Sequence, residues 1–246
     1  MENKTLHIGS QELSFSRPCV MGILNVTPDS FYAPSRVAAD DLLERARAML
    51  DQGASILDIG GCSTRPGYTD PGEAEEWRRV APALETLRTH LPDALLSLDT
   101  FRASIAEQAI REFGPMIIND ISGGDKAMYE VVRRAQVPYV LTIRRPSDET
   151  ADIPLIWDPG IGFLGGPEAD FRALQNLHEE AVPVLVGVSR KSLIWRTLQT
   201  TPQDALPATQ ALHMYALLHG ADILRVHDVR EAAETVTLYE KLKIDN

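Results

Sequence analysis

The chain has 246 residues, of which 44% are hydrophobic and 24% are charged, so it can bury the core of one large globular domain. Its formal net charge is −11 and it has no basic run, which argues against nucleic acid and against an anionic membrane surface as partners. Two cysteines, an N-terminus without an apolar leader and the lack of a long apolar run predict a cytoplasmic protein with reduced thiols.

The first predicted element is a small β-hairpin in residues 5–15, which contain a Gly-Ser turn between two short runs. Eight apolar runs rich in Val, Ile and Leu follow, each ending at a turn signal. Such nearly continuous runs are typical of parallel strands buried on both faces. The runs cover residues 19–26, 55–61, 95–100, 116–121, 139–144, 155–160, 183–189 and 223–229.

Amphipathic helical patterns lie between most of these strands, for example over residues 38–53 and 73–90. Eight strands that alternate with helices predict an α/β fold, a closed (β/α)8 TIM barrel whose bottom the N-terminal β-hairpin closes. A doubly wound open sheet is the alternative. Neither a linker nor an internal repeat divides the chain, so we expect residues 1–246 to form a single barrel domain.

One connection is too short for this plan. Only residues 145–154 separate the fifth and sixth predicted strands, and Pro146 and Pro154 bracket them. A crossover with its helix needs at least about 10–12 residues. We therefore predict an extended return without a helix between strands five and six, and an apolar barrel wall that loses its cover there.

Polar side chains stand at the ends of seven of the eight predicted strands. In a barrel, these carboxyl ends converge on one mouth, where active sites form. Any one of them alone could simply mark a strand end, and Asp99 could be a helix N-cap. The set consists of Asn25, Ser63-Thr64-Arg65, Asp99, Asn119-Asp120, Asp158, Ser189-Arg190-Lys191, and Arg225 with His227.

The residue types in this set favour an anionic ligand with a heterocyclic ring. Asp99, Asn119 and Asp158 can bind the donor and acceptor edge of a ring such as a pterin. Arg65, Lys191, Arg225 and His227 would gather positive charge at the same mouth in an acidic chain, which suits a diphosphate. Taken alone, Lys191 could be a solvated side chain and His227 a core histidine.

Seven segments resemble the dihydropteroate synthase family of pterin-binding barrels, and they occur in the family's order. The segments are MGILNVTPDSF (21–31), GASILDIGGCSTRPG (53–67), LSLDTFR (96–102), INDISGG (118–124), DPGIGF (158–163), GVSRKS (187–192) and ILRVHDV (223–229). The resemblance implies condensation of 6-hydroxymethyl-7,8-dihydropterin diphosphate with p-aminobenzoate to give 7,8-dihydropteroate and diphosphate in folate biosynthesis.

The resemblance also implies the role of each site residue. The implied pterin contacts are Asp99, Asn119, Asp158 and Lys191. The implied diphosphate contacts are Asn25, Arg225 and His227, with Asn25 also a ligand of the cofactor Mg2+. The implied p-aminobenzoate contacts are Phe31, Thr64, Arg65, Pro66, Phe163, Lys191 and Ser192. The implied catalytic residues are Lys191, Asp99, Arg225 and His227. A homodimer and sensitivity to sulfonamides are further expectations from the family.

The chain departs from the family after the fifth strand. The family usually carries Met-His-Met-Arg-Gly and then a helix, whereas this chain has YVLTIRRPSDET. A methionine wall of the pterin pocket is therefore missing, with Ile143 or Thr142 in its place. Two alternatives follow: an inactive or altered pterin-binding paralogue, and a corrinoid-linked methyltetrahydrofolate methyltransferase. The NVTPDSF, STRPG and SRKS segments weaken the second alternative, because they are tied to diphosphate and p-aminobenzoate.

Overall fold

The chain begins with the predicted hairpin. A computed structural model describes residues 4–26, 36–62, 70–178 and 180–242. Strands β1 (Thr5–Ile8) and β2 (Gln11–Ser14) pair antiparallel around the turn at Gly9. The turn residue has a φ of 62°, a left-handed conformation that glycine adopts without a steric penalty.

Eight parallel strands form the barrel. They are β3 (Cys19–Asn25), β4 (Ile56–Gly60), β5 (Leu95–Asp99), β6 (Ile117–Asp120), β7 (Tyr139–Thr142), β8 (Leu155–Asp158), β9 (Leu185–Val186) and β10 (Ile223–Val226). They pair in the order β8-β7-β6-β5-β4-β3-β10-β9. A parallel bridge between Trp157 and Val184 joins the two ends of this sheet. The ring is therefore nearly closed, which confirms the predicted barrel and rules out the open doubly wound sheet.

Helices surround the strands. They are α1 (Arg36–Asp51), α2 (Glu73–His90), α3 (Ala103–Phe113), α4 (Lys126–Ala135), α5 (Pro167–Gln175), α6 (Ser192–Thr197), α7 (Leu206–Leu218) and α8 (Val229–Leu242). The helical patterns predicted over 38–53 and 73–90 correspond to α1 and α2. Within the described ranges, no helix combines the length and the apolar character that a membrane span requires.

Side chains that point into the barrel form an apolar floor below a polar layer. The floor consists of Met21, Ile56, Ile117, Val140, Ile156, Leu185 and Ile223, packed against Ile8, Leu13 and Phe15 of the hairpin region. This packing confirms that the hairpin closes the bottom of the barrel. Because every second residue of a strand points the same way, the next inward positions lie nearer the mouth. Those positions include Asp58, Asn119, Thr142, Asp158 and Arg225.

The connection between β7 and β8 contains no α-helix, as predicted. Its regular structure is one 3-10 turn at Asp148–Thr150. Three hydrogen bonds between Ser147 and Thr150 stabilise the turn. Ser147 N donates to Thr150 Oγ1 at 3.1 Å, and both Thr150 N and Thr150 Oγ1 donate to Ser147 O, at 3.0 and 3.1 Å. The return is therefore partly coiled rather than fully extended, and both flanking strands stay in the barrel.

The expected uncovered barrel wall was a wrong prediction. Ile153 of the connection is buried in the same apolar cluster as Leu155 of β8. The Arg145 guanidinium lies 4.0 Å from the ring centre of Trp157, so it covers that indole. The short connection thus packs on the wall itself and replaces the missing helix as its cover.

Candidate active site

The mouth of the barrel gathers polar side chains from separate strands. They are Asn25 on β3, Asp99 on β5, Asn119 on β6, Asp158 on β8 and Arg225 on β10. Strand register places Asp99 directly beside Asn119. The predicted convergence of these five side chains is therefore a property of the fold, because parallel strands of one barrel end at the same face.

Gly60 leaves open space between two of these side chains. A Cβ placed on Gly60 would lie 3.5 Å from Asn25 Oδ1 and 3.6 Å from Asp99 Oδ2. The register of β4 explains this position, since Gly60 pairs with Asn25 on one side and with Asp99 on the other. Two oxygen acceptors therefore face a shared space at the mouth.

Arg225 links two acidic residues across the barrel. Its Nε donates to Asp58 Oδ2 at 2.6 Å, and its Nη2 donates to Asp99 Oδ2 at 2.5 Å. Charge-assisted bonds of this length are stronger than bonds between neutral groups. The guanidinium is thereby held at the centre of the polar layer, between strands β4 and β5 and its own strand.

Asp58 is a site residue that the sequence interpretation missed. It is fully buried, and its Oδ2 also accepts a hydrogen bond from Asn119 Nδ2 at 3.1 Å. The available signal was a single carboxylate within the otherwise apolar strand β4, two positions before that strand ends at Gly60. A buried carboxylate is costly unless it is paired, so such a residue indicates a partner inside the barrel.

Burial and charge shift the protonation of this cluster. Burial raises the pKa of Asp99 to about 7, and the negative charge of Asp58 adds to this rise while Arg225 opposes it. The pKa of Arg225 is raised well above its usual range because the attraction of Asp58 and Asp99 outweighs the effect of burial. Two carboxylates thus share one guanidinium, so the cluster keeps an excess of negative charge that favours protonation of Asp99.

Two further charged side chains, Asp158 and Lys191, lie near the end of β8. Asp158 Oδ1 accepts a hydrogen bond from Gly160 N at 2.8 Å, and its pKa is raised by burial although the positive charge of Lys191 opposes the rise. Lys191 Nζ donates to Ile161 O and lies 4.6 Å from the ring centre of Phe163. Burial lowers the pKa of Lys191 to about 8. The structure therefore brings together the predicted Asp158, Lys191 and Phe163.

Gly162 is the close neighbour that lets Lys191 reach this position. Its φ is 94°, and a Cβ at this residue would lie 2.6 Å from the Cδ of Lys191. No side chain fits there without displacing the lysine. The glycine-rich turn after β8 thus gives the lysine side chain its path toward the mouth.

Other predicted residues stand at the rim. The His227 side chain is exposed, and its backbone N donates to Ser189 Oγ at 3.2 Å. Ser192 is half-buried at the first residue of α6. Arg190 pairs with Asp228 through two bonds of 2.8 Å. Arg190 therefore joins the loop after β9 to the loop after β10. Its positive charge is balanced by Asp228.

The two candidates for the missing methionine wall occupy different places in the structure. Thr142 is fully buried inside the barrel, whereas Ile143 is 46% exposed. Ile143 has a φ of 67°, which is rare for a β-branched residue. Its Cγ1 would lie 2.3 Å from a Cβ on Gly160, so it packs against the turn that follows Asp158. Ile143 is therefore an apolar side chain beside the turn at Gly160, two residues after Asp158.

Some predictions cannot be placed. Phe31, Thr64, Arg65 and Pro66 lie outside the described residues, as does Ser63.

Among the described residues, no group of three or more His, Cys, Asp or Glu side chains could hold a metal ion. Asn25 offers a side-chain oxygen near Asp99, and Mg2+ commonly uses one or two protein oxygens together with water and phosphate oxygens. The side-chain oxygen of Asn25 therefore fits a Mg2+ ion that is also held by the oxygens of a diphosphate.

Comparison with known proteins adds independent information. A profile of the family described as pterin binding enzymes matches residues 21–154 and 151–227. A dihydropteroate synthase of Clostridium beijerinckii is 37% identical over 257 residues, which cover 92% of this chain and 95% of that protein. The chain therefore resembles this relative over nearly its whole length.

Solved structures agree with the sequence relatives. The Xanthomonas albilineans dihydropteroate synthase with 4-aminobenzoic acid is 32% identical, with a TM-score of 0.87 over 99% of this chain and 100% of that one. The Yersinia pestis dihydropteroate synthase with a sulfonamide drug is also 32% identical, with a TM-score of 0.84 over 97% of this chain and 99% of that one. The barrel fold is thus common to these proteins.

Proposed function

This chain belongs to the dihydropteroate synthases, the folate-synthesis members of the pterin binding enzymes, and we propose that it performs their condensation at the mouth of its barrel. The substrates would be 6-hydroxymethyl-7,8-dihydropterin diphosphate and p-aminobenzoate. The observation that carries this proposal is the bonded group of Asp58, Asp99, Asn119 and Arg225, which sets an acidic pocket beside a guanidinium.

The acidic side of this group suits the pterin. A pterin ring presents N–H donors and a carbonyl along one edge, which carboxylate and amide groups can bind side by side. Asp99, Asn119 and Asp158 would make these contacts inside the barrel, with Ile143 against the ring. The carboxylates would also stabilise the delocalised cation that forms on the pterin methylene as the diphosphate leaves.

The cationic side suits the leaving group. Arg225 would bind the diphosphate from the centre of the mouth, and His227 would add a donor at the rim. Asn25 would hold Mg2+ through its side-chain oxygen, and when bound the ion would neutralise charge on the diphosphate. Positive charge at this place stabilises the departing anion more strongly than the bound substrate, which lowers the barrier to bond cleavage.

The second substrate needs no activated nucleophile. The neutral amine of p-aminobenzoate forms the new C–N bond to the methylene carbon, the C–O bond to diphosphate breaks, and the amine then loses a proton. Lys191, Phe163 and Ser192 would contact p-aminobenzoate, together with Phe31, Thr64, Arg65 and Pro66. A sulfonamide that resembles p-aminobenzoate would compete for the same contacts.

A turnover assay with the pterin diphosphate, p-aminobenzoate and Mg2+ tests this function. We expect formation of 7,8-dihydropteroate and diphosphate in equal amounts. Pterin binding without product would instead support the inactive paralogue. Asn25→Ala should raise the Mg2+ concentration needed for half-maximal rate, and an unchanged Mg2+ dependence would remove Asn25 from the metal site.

We propose three further properties of this protein. We propose a homodimer, which light scattering coupled to size-exclusion chromatography would measure directly. We also propose a cytoplasmic location, which is supported by two free thiols, Cys19 and Cys62. Sensitivity to sulfonamides is tested by adding one to the turnover assay and varying p-aminobenzoate, since a competitive pattern is expected.

A further inference from the structure

Asp58 belongs to the bonded group at the mouth, but none of the substrate contacts described above is assigned to it. Its side chain is fully buried on β4, one inward position above the apolar floor residue Ile56. Its Oδ2 accepts from both Arg225 Nε and Asn119 Nδ2. Its Oδ1 is buried and has no hydrogen-bond partner among the described residues. Both hydrogen bonds of the Asp58 carboxylate therefore go to other residues of the site.

Stability alone gives a weak reason for a carboxylate here. Taking a charge out of water costs several kcal/mol, and a buried ion pair is often no more stable than apolar residues of similar size. The neighbouring inward positions Ile56 and Ile117 show that the barrel interior accepts aliphatic side chains. A buried carboxylate with one oxygen left unpaired is thus better explained by what it does to its partners.

The bond to Arg225 fixes the orientation of its guanidinium plane. A guanidinium is planar, so a carboxylate that holds Nε sets the plane and leaves the Nη groups to point along it. In this plane, Nη2 reaches Asp99 at 2.5 Å. Without Asp58, the Arg225 side chain could rotate about its last bonds and lose this alignment with the mouth.

The bond to Asn119 determines which end of its side-chain amide faces Asp58. An amide side chain offers either an acceptor oxygen or donor hydrogens, depending on how it is rotated. Because Asn119 Nδ2 donates to Asp58, its Oδ1 is turned away from that carboxylate. The amide oxygen is then oriented to accept a hydrogen bond from a ligand N–H group.

We propose that Asp58 is a positioning residue that orients Arg225 toward the leaving group and makes Asn119 an acceptor for N–H groups of the ring. This role rests on the proposed function, since it concerns the same site. Asp58 itself touches neither reacting atom. It acts through the two side chains that it holds.

A double-mutant cycle tests the link to Arg225. Asp58→Asn keeps the size and an acceptor oxygen but removes the charge. In the wild-type background we expect kcat/KM to fall by roughly tenfold or more, as for directly coupled residues. In an Arg225→Lys background, which lacks the Nε donor, the same change should cost less than about threefold. Equal losses in both backgrounds, or no loss in either, would overturn the proposal.

A matched control separates this role from a general need for buried charge. Asp222 is a half-buried carboxylate at the opposite end of the barrel, where it accepts from Lys4 Nζ and Val184 N at 2.8 Å. Asp222→Asn should change the urea midpoint while leaving kcat/KM of the folded protein unchanged. If Asp58→Asn does not fold, Asp58→Ser, which leaves room for a water to bond Arg225, is taken through the same cycle.

Calorimetry with the pterin diphosphate provides a readout that does not depend on turnover. Binding constants measured for the four proteins of the Asp58/Arg225 cycle should show the same pattern: Asp58→Asn weakens binding strongly in the wild-type background and only slightly in the Arg225→Lys background. If the wild type binds this ligand without forming product, the proposed function fails while the binding cycle still decides the role of Asp58. If binding is intact in Asp58→Asn, the positioning role fails whatever the turnover.

Discussion

Arg225 Nη2 lies 2.5 Å from Asp99 Oδ2, so the residue assigned to the diphosphate is bonded directly to a residue assigned to the pterin. In the free enzyme, the guanidinium therefore shares its charge with pocket carboxylates. A bound diphosphate would draw part of that charge toward itself. Binding of the leaving group and of the ring would then be coupled through one side chain.

Removal of Arg225 should weaken the binding of the pterin diphosphate. Arg225→Ala is expected to reduce the binding free energy by roughly 1.5–3 kcal/mol, as for a hydrogen bond to a charged group. Calorimetry measures this change. Arg133→Ala is the control, because Arg133 pairs with Asp152 on the outside of the barrel. Unchanged affinity in Arg225→Ala would contradict the assignment of this site.

The charge of Asp158 should matter for turnover. Asp158→Asn keeps the size of the side chain and an acceptor for Gly160 N, but it removes the negative charge beside Lys191. We expect kcat/KM to fall roughly ten- to hundredfold, which corresponds to the loss of a charge-assisted hydrogen bond. Steady-state kinetics checks this expectation. A wild-type rate would mean that the pterin pocket lies elsewhere.

Ile143 should contribute to pterin affinity and little to stability. Ile143→Gly removes an exposed apolar wall and also relieves a left-handed conformation, which costs a non-glycine residue about 1–2 kcal/mol. We expect pterin affinity to fall about fivefold while the urea midpoint is nearly unchanged or higher. Gln199→Gly, at a φ of 52°, is the control for the backbone effect. Equal pterin affinity in Ile143→Gly and Gln199→Gly would contradict the proposal that Ile143 forms a wall of the pterin pocket.

The stability of the protein should depend on pH through Asp99. Its pKa is about 7 in the folded protein and near its ordinary value of 3.8 in the unfolded chain. Between these values the folded state holds the extra proton, so stability falls as pH rises from about 4 to about 7 and then levels off. Urea unfolding at a series of pH values should show this fall in the wild type and a smaller one in Asp99→Asn. Parallel curves for the two proteins would refute the assignment.

The short connection should be part of the stable core. Ile153→Ala is expected to lower the free energy of unfolding by roughly 2–4 kcal/mol, because the removed side chain is buried against the barrel wall. Ile143→Ala is the matched control, since that isoleucine is 46% exposed. Urea denaturation measures both. A loss at Ile153 no greater than at Ile143 would show that the connection does not act as a cover.

Most of the barrel could be predicted from local patterns. Continuous apolar runs such as residues 19–26 indicated buried parallel strands, and the pattern over residues 73–90 matched α2 at both ends. The polar ends of strands indicated the mouth, because parallel strands must present their carboxyl ends together. The missing helix after β7 followed from the ten-residue length of the connection and from the two prolines that bracket it. These are properties of neighbouring residues, which a sequence displays directly.

The tertiary structure decided which side chains touch. The sequence marks Asp99 and Arg225 as polar residues on different strands, but only closure of the barrel brings their atoms to 2.5 Å. Asp58 was missed for the same reason, since its partners are 61 and 167 residues away along the chain. The cover over the barrel wall could not be predicted either, because the burial of Ile153 depends on the path that the turn at residues 148–150 gives the chain. Periodicity reports which way a residue faces, whereas contact between distant residues depends on how the whole sheet closes.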